Sequence, residues 1–305
     1  MEKQINKKKI SRKARFDETL PSYIMLAPFL IFFFIFLVLP IGASIVLSFT
    51  DYDMINNPHP AGLGNYLRMF LEDDVFPVVF KNTLFFAIIC GPAGFLLSFV
   101  LAWFINEFSP LVRTLLSFMF YAPALVGNAT FIWQVAFSSD AYGYINSALL
   151  SLGLITEPIT WLSTEQYIQP IIIIVQLWSS MGVSFLTNIS GLQNVNNELY
   201  EAGSIDGIRN RWQELWYITL PTMKHMLLFS AVMQISSAFS ISGIAITLAG
   251  FPSVGYAADT IVSHMQDLGT VRYELGYASA VAVVLFLMMV FFRLVIGKLL
   301  NMTGK

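Results

Sequence analysis

Five ionisable side chains, Glu201, Asp206, Arg209, Arg211 and Glu214, fall within fourteen residues of the stretch EAGSIDGIRNRWQELWYITLP, residues 201–221. Their spacing fits no catalytic arrangement. The three histidines, His59, His225 and His264, are scattered, and Cys90 is the only cysteine, so neither a Cys-based metal site nor an intrachain disulfide exists. No G-x-x-x-x-G-K-[ST] run occurs, so this chain does not hydrolyse ATP by itself. The expectation is no catalytic residue, no metal and no cofactor held by this chain. What the stretch can do is pair charges with another surface and let that surface approach. Ala202, Gly203 and Ser204 are small, and Asp206-Gly207 is a turn signal in which Gly207 can take the left-handed conformation that ends a helix. Downstream, Ile208, Trp212, Leu215, Trp216 and Thr219 recur at helical spacing as a mostly apolar stripe, with Arg209, Arg211, Gln213 and Glu214 off it, and Pro221 closes the segment. Two readings are open: a linker helix lying under a membrane bundle, or a coupling helix that docks into a partner.

A second set of groups is neutral and lies within apolar runs. Gln176, Ser179 and Ser180 sit at i, i+3 and i+4; Gln234, Ser237 and Ser240 sit at i, i+3 and i+6; Asn128 and Gln134 stand in a third run. Amides and hydroxyls suit an uncharged polyhydroxylated solute, with Trp133 and Trp178 available to stack on a sugar face. The same groups equally suit contacts between neighbouring membrane helices.

The elements that must hold these residues are membrane helices. Of 305 residues 56% are hydrophobic and 12% charged, against roughly 25% charged in soluble domains. Six runs reach the length needed to cross about 30 Å of hydrocarbon, at about 22–47, 83–105, 115–137, 168–190, 226–248 and 277–299, and helices satisfy the backbone there. The fold class is an all-α, six-span membrane protein with the charged stretch between spans 4 and 5. Residues 1–20 form a basic tail, and 21–305 form one membrane domain. The basic residues place the N-terminus, the C-terminus and the 201–221 stretch in the cytoplasm: fourteen of seventeen fall inside, with Arg68, Lys81 and Arg272 outside. The apolar run after the tail is too long for a cleaved signal sequence, so it is a retained helix. Net charge of −2 with no basic soluble domain gives no reason to expect nucleic acid. The central thirds of the six spans carry no Asp, Glu, Lys or Arg. Ion-coupled transporters usually place ionisable groups or broken helices at that depth, so the energy for moving a solute is expected from elsewhere. An ion-gradient-driven secondary transporter of a polar neutral solute is the alternative.

Glu201-Ala202-Gly203, Asp206-Gly207 and Ile218-Thr219-Leu220-Pro221 resemble the EAA loop of ABC importer permeases, with Gly203 where that family usually has Ala. The stretch Leu26 to Asp53, Gly62-Leu63-Gly64-Asn65-Tyr66, Asn82-Thr83, and Gly143 to Asn146 with Trp161-Leu162 are similar to carbohydrate-type members. The resemblance implies a permease subunit in the bacterial cell membrane. It would pair with a second, homologous permease chain and with two cytoplasmic ATPase subunits that bind ATP and Mg. An external solute-binding protein would deliver a sugar, oligosaccharide or sugar-like solute. It further implies that Glu201, Ala202, Gly203, Asp206, Gly207, Leu220 and Pro221 form the ATPase-coupling loop, and that Gln176, Ser180 and Ser237 lie near the solute path.

Overall fold

A computed structural model describes residues 12–127 and 129–302; Asn128 lies outside the described residues. Helices account for all the regular structure described, apart from one isolated bridge between Thr50 and Pro60. The chain begins with α1 (Arg12–Phe33), which passes through a π turn at Phe34–Val38 into α2 (Leu39–Leu47). A short α3 (Gly64–Leu71) follows, entered through Gly62 at φ +56°. Next come α4 (Phe76–Asn106), which Pro92 enters without ending it, then α5 (Pro110–Leu125), α6 (Thr130–Ala136) and the surface helix α7 (Tyr144–Ser151). The second half comprises α8 (Glu165–Ser179), α9 (Val183–Gln193), α10 (Asn197–Ile205), α11 (Arg211–Glu214), α12 (Leu220–Thr222), α13 (Lys224–Phe239), α14 (Ser242–Ala249), α15 (Ile261–Gln266) and α16 (Leu275–Met302).

Four helical stretches are long and apolar enough to cross a membrane: Tyr23–Leu47, Phe76–Asn106, Lys224–Ala249 and Leu275–Lys298. Two bent pairs meet the same test together, α5 with α6 at 85° and α8 with α9 at 42°. In the sequence Pro123 and Gly127 interrupt the 115–137 run, whereas the 168–190 run has no proline beyond its first turn, and the structure breaks both. In the second, Ser180 ends α8 and Gly182 takes φ −114°, ψ −117°, outside the helical region. Average hydropathy is blind to such a break, because Ser-Ser-Met-Gly is neither charged nor long.

Three core clusters lie along the bundle. One gathers Met69, Phe76, Val79, Ile261 and Val281. The middle one gathers Phe86, Cys90, Ile172 and Ile241. The third joins Phe99, Ala102 and Ile105 of α4 and Phe185 and Ile189 of α9 to Leu215 and Ile218 of the 201–221 stretch. Leu215 and Ile218 therefore tie the charged stretch to the bundle's core.

Candidate functional site

The 201–221 stretch folds as two helical pieces around a capped turn. Asn196 opens α10 by accepting the Glu198 N–H at 3.1 Å, and Asn210 opens α11 by accepting the Gln213 N–H at 2.9 Å. Between them Gly207 stands at φ +95°. The Ile208 N–H donates to the Gly203 carbonyl at 2.9 Å and the Gly207 N–H to the Ser204 carbonyl at 3.4 Å, the paired bonds of a Schellman cap. Ile208 completes it: a Cβ added at Gly203 would lie 3.1 Å from Ile208 Cδ1 and 2.6 Å from Ile218 Cδ1. Gly203 is the notch in which the two pieces of the loop meet. Glu201 and Ala202 of α10 and its cap Asp206 are exposed, Leu220 is half-buried and Pro221 exposed.

The inward face differs from the predicted stripe. Leu215, Ile218 and Thr219 are buried, whereas Trp212 and Trp216 are 63% and 66% exposed. Residues 215–219 fold as a π turn, and Leu215, Ile218 and Thr219, at i, i+3 and i+4, share its inward side while Trp216 falls outside it. Thr219 is held there by Tyr200, whose hydroxyl lies 2.9 Å from Thr219 Oγ1. Behind α10 a polar cleft of about 460 Å³ is lined by Trp103, Glu107, Arg113, Tyr200, Glu201 and Arg211. In it Arg211 forks between Glu214 (2.8 Å) and Glu107 (2.5 Å). The hydrogen bond to Glu214, reinforced by the charges of Glu107 and Glu214, holds the Arg211 pKa above its ordinary value against the opposing effect of burial.

The neutral polar residues within the bundle form a ladder. Gln176 Nε2 donates to Ser237 Oγ at 3.0 Å, and Gln234 Nε2 donates to the Ser180 carbonyl at 3.1 Å. Ser184 Oγ donates to the Ser230 carbonyl at 3.2 Å, and Asn188 Nδ2 donates to Ser98 Oγ at 3.3 Å. Gln176, Ser180, Gln234, Ser184, Ser230 and Asn188 are all buried, Ser179 and Ser237 are half-buried, and Ser240 is exposed. Sequence reasoning found Gln176, Ser180, Gln234 and Ser237 but missed Ser184, Asn188, Ser230 and Ser98. The signal was present in span 4, where Gln176, Ser180, Ser184 and Asn188 recur every fourth residue.

Residues 85–301 match the family described as "Binding-protein-dependent transport system inner membrane component". The chain belongs to this family. It is a permease component of an ABC importer, and ATP hydrolysis resides in separate subunits of such systems. That sets aside the ion-driven alternative. The permease is 31% identical over 299 residues, 95% of this chain and 93% of the other, to the probable ABC transporter permease protein YesP of Bacillus subtilis (strain 168). It is 29% identical over 283 residues, 91% and 87% of the two chains, to the arabinooligosaccharides transport system permease protein AraP of the same strain. Its fold is shared with a chain of a bacterial ABC transporter involved in the import of the acidic polysaccharide alginate. That pair has a TM-score of 0.77 at 24% identity, covering 95% of this chain and 98% of the other.

The permease's other signature residues prove to be loop hubs. Asn65 donates to the Ser48 and Thr50 carbonyls at 2.9 and 2.7 Å, and the Tyr66 hydroxyl to Ser48 Oγ at 2.8 Å. Asn82 donates to the Tyr256 and Asp259 carbonyls at 2.8 and 3.0 Å, while Thr83 Oγ1 accepts the Ile261 N–H at 2.9 Å. Asn146, fully buried, donates to the Ile159 carbonyl and accepts from Trp161 Nε1 at 2.8 Å. These side chains satisfy backbone groups in irregular segments, where no helix supplies the partner. Nearby, Asp73 caps α4 by accepting the Val75 and Phe76 N–H groups, and its other oxygen binds His264 Nε2 (2.9 Å) and the Tyr277 hydroxyl (2.6 Å). Burial pushes the Asp73 pKa up, but the hydrogen bonds from Tyr277, Phe76 and His264 together win and hold it below 3.8.

Proposed function

We propose that this permease imports a sugar, an oligosaccharide or a sugar-like solute by alternating access, with the 201–221 loop receiving the stroke of cytoplasmic ATPase subunits. The observation that carries the coupling role is the Schellman-capped α10, which turns Glu201 and Ala202 outward while its inner side is locked to the third core cluster. A rigid face that exposes Ala202 and Ser204 beside the carboxylates of Glu201 and Asp206 suits insertion into a groove of a soluble subunit. ATP and Mg act on those subunits, two per importer, and a second homologous permease chain completes the membrane pore. An external solute-binding protein delivers the solute, and one of the similar solved structures contains a periplasmic protein carrying an alginate pentasaccharide. The carbohydrate assignment draws on relatives whose names specify arabinooligosaccharides and lactose.

In this reading the two bent pairs each make one span, giving six, with both termini, the basic tail 1–20 and the coupling loop in the cytoplasm. The whole of 21–305 is one membrane domain. The solute path runs along Ser179 and Ser237, with Gln176, Ser180 and Gln234 behind it; Asn128, outside the described residues, is a further candidate. Reconstituted vesicles holding the full importer test the function. Uptake of a labelled oligosaccharide from a panel should require ATP inside and the binding protein outside; uptake that follows an ion gradient without ATP would refute it.

A further inference from the structure

The coupling loop is joined covalently only to spans 4 and 5, yet its contacts reach beyond them. Leu215 and Ile218 share a core cluster with Phe99, Ala102 and Ile105 of α4. At the rim of that cluster the Trp103 and Trp212 rings lie 5.2 Å apart. One turn on, Arg211 binds Glu107, the residue that caps the C-terminus of α4. The corner after α4 is itself braced, because Arg113 at the start of α5 donates to the Asn106 and Phe108 carbonyls at 2.9 and 3.2 Å. An isolated exposed ion pair contributes little, but here it closes an arrangement that already holds buried apolar contacts and an aromatic pair.

We propose that Arg211 is a positioning residue that clasps the coupling loop to the corner between spans 2 and 3 through Glu107, so that a stroke on the loop carries spans 2 and 3 along with spans 4 and 5. The proposal rests on the coupling role given to the loop above. Arg211 touches neither solute nor nucleotide in it. A guanidinium is well shaped for such a clasp. Its rigid fork engages Glu214 with one nitrogen and Glu107 with the other, so the loop's second helical piece and the corner hold one orientation.

The test follows the loop and the corner through the cycle of the full importer. Spin labels are placed at Leu111→Cys, on the exposed start of α5, and Arg209→Cys, on the loop, in a Cys90→Ala background. Their separation is measured nucleotide-free and after trapping with ATP and vanadate. With the clasp intact the distance is expected to change by less than about 2 Å, the scale of a small helix shift. In Arg211→Met and in Glu107→Gln it is expected to change by more than that, and the double variant should match the single ones, because each removes the same contact. A state-dependent distance with the clasp intact, or an invariant one in both single variants, would overturn the clasp. Gly207→Val separates this from the reading it rests on: ATP-driven uptake at full efficiency in that variant would remove the loop from coupling altogether. Loss of coupling there, beside invariant distances in the clasp variants, would remove the clasp alone.

Discussion

Gln234 on span 5 caps the broken end of α8: its Nε2 donates to the carbonyl of Ser180, the residue at which span 4 bends. The Gly182 N–H reaches the same oxygen at 2.8 Å. A helix interrupted within the bundle frees backbone groups that lipid cannot satisfy, so a neighbouring side chain takes the role that the next turn would have had. Span 2 makes room for it: a Cβ on Gly94 would lie 3.0 Å from Gln234 Oε1 and 3.1 Å from Ser180 Oγ.

Gln234→Leu is expected to destabilise the detergent-purified permease by about 1 kcal/mol, the scale of one interhelical hydrogen bond in a membrane. Gly94→Val should cost more, because it displaces Gln234 and Ser180 together. Thermal unfolding followed by tryptophan fluorescence reads both; an unchanged midpoint in both variants would deny the cap any energetic weight. Solute KM should stay constant in Gln234→Leu and rise in Ser179→Leu, since Ser179 is only half-buried.

Gly207→Val should let the importer hydrolyse ATP with less uptake per ATP. At φ +95° a β-branched residue is strongly disfavoured, so the Schellman cap opens and α10 loses its fixed relation to Ile208. The number of solute molecules moved per ATP, measured in vesicles, checks this.

Gly203→Ala should lower coupling and stability modestly, because the new methyl meets Ile218 Cδ1. Ile218→Val, which lacks that δ-methyl, should cost a packing loss of about 1 kcal/mol alone and relieve the Ala when combined. The double variant is expected to be better than the sum of the singles. Strict additivity in unfolding midpoints would mean that the two pieces of the loop do not meet at this notch.

The acid on the opposite face of the bundle gives a pH signature. Because the folded Asp73 pKa lies below 3.8, its contribution to stability is complete above that value and is lost as pH falls through the lower folded value. Asp73→Asn should therefore be less stable at pH 7, and the difference should shrink only below pH 3.8. A difference that closes already between pH 5 and 7 would show that the Asp73 carboxylate is not what stabilises this corner.

Composition and run length are enough to read a helical membrane protein, and the spacing of Asp206-Gly207 and Pro221 is enough to read a loop of two helical pieces. What stays hidden depends on backbone geometry and on neighbours. The bend at Ser180 falls in Ser-Ser-Met-Gly, a dip in hydropathy too short and uncharged to end a span by composition. A helical repeat groups Trp216 with Trp212, Leu215 and Thr219, but the equally helical set Leu215, Ile218 and Thr219 is the one that is buried, Leu215 and Ile218 against α4 and α9. Gln176 and Ser237 are visible as polar, but that one bonds to the other follows only from spans 4 and 5 being packed together.

Span 1 and spans 4 and 5 differ in what they need in order to enter a membrane. The stretch Tyr23–Leu47 is the most apolar of the four long helical stretches, and none of it is buried among other helices. It can partition into lipid as it leaves the ribosome, before any later segment exists. Lys224–Ala249 is the least apolar of those four, and its Ser230, Gln234 and Ser237 find their partners on α8, its cap Ser180 and α9. Packing beside α8 and α9 satisfies those polar groups, so this segment gains more than Tyr23–Leu47 does from having its neighbour in the membrane with it.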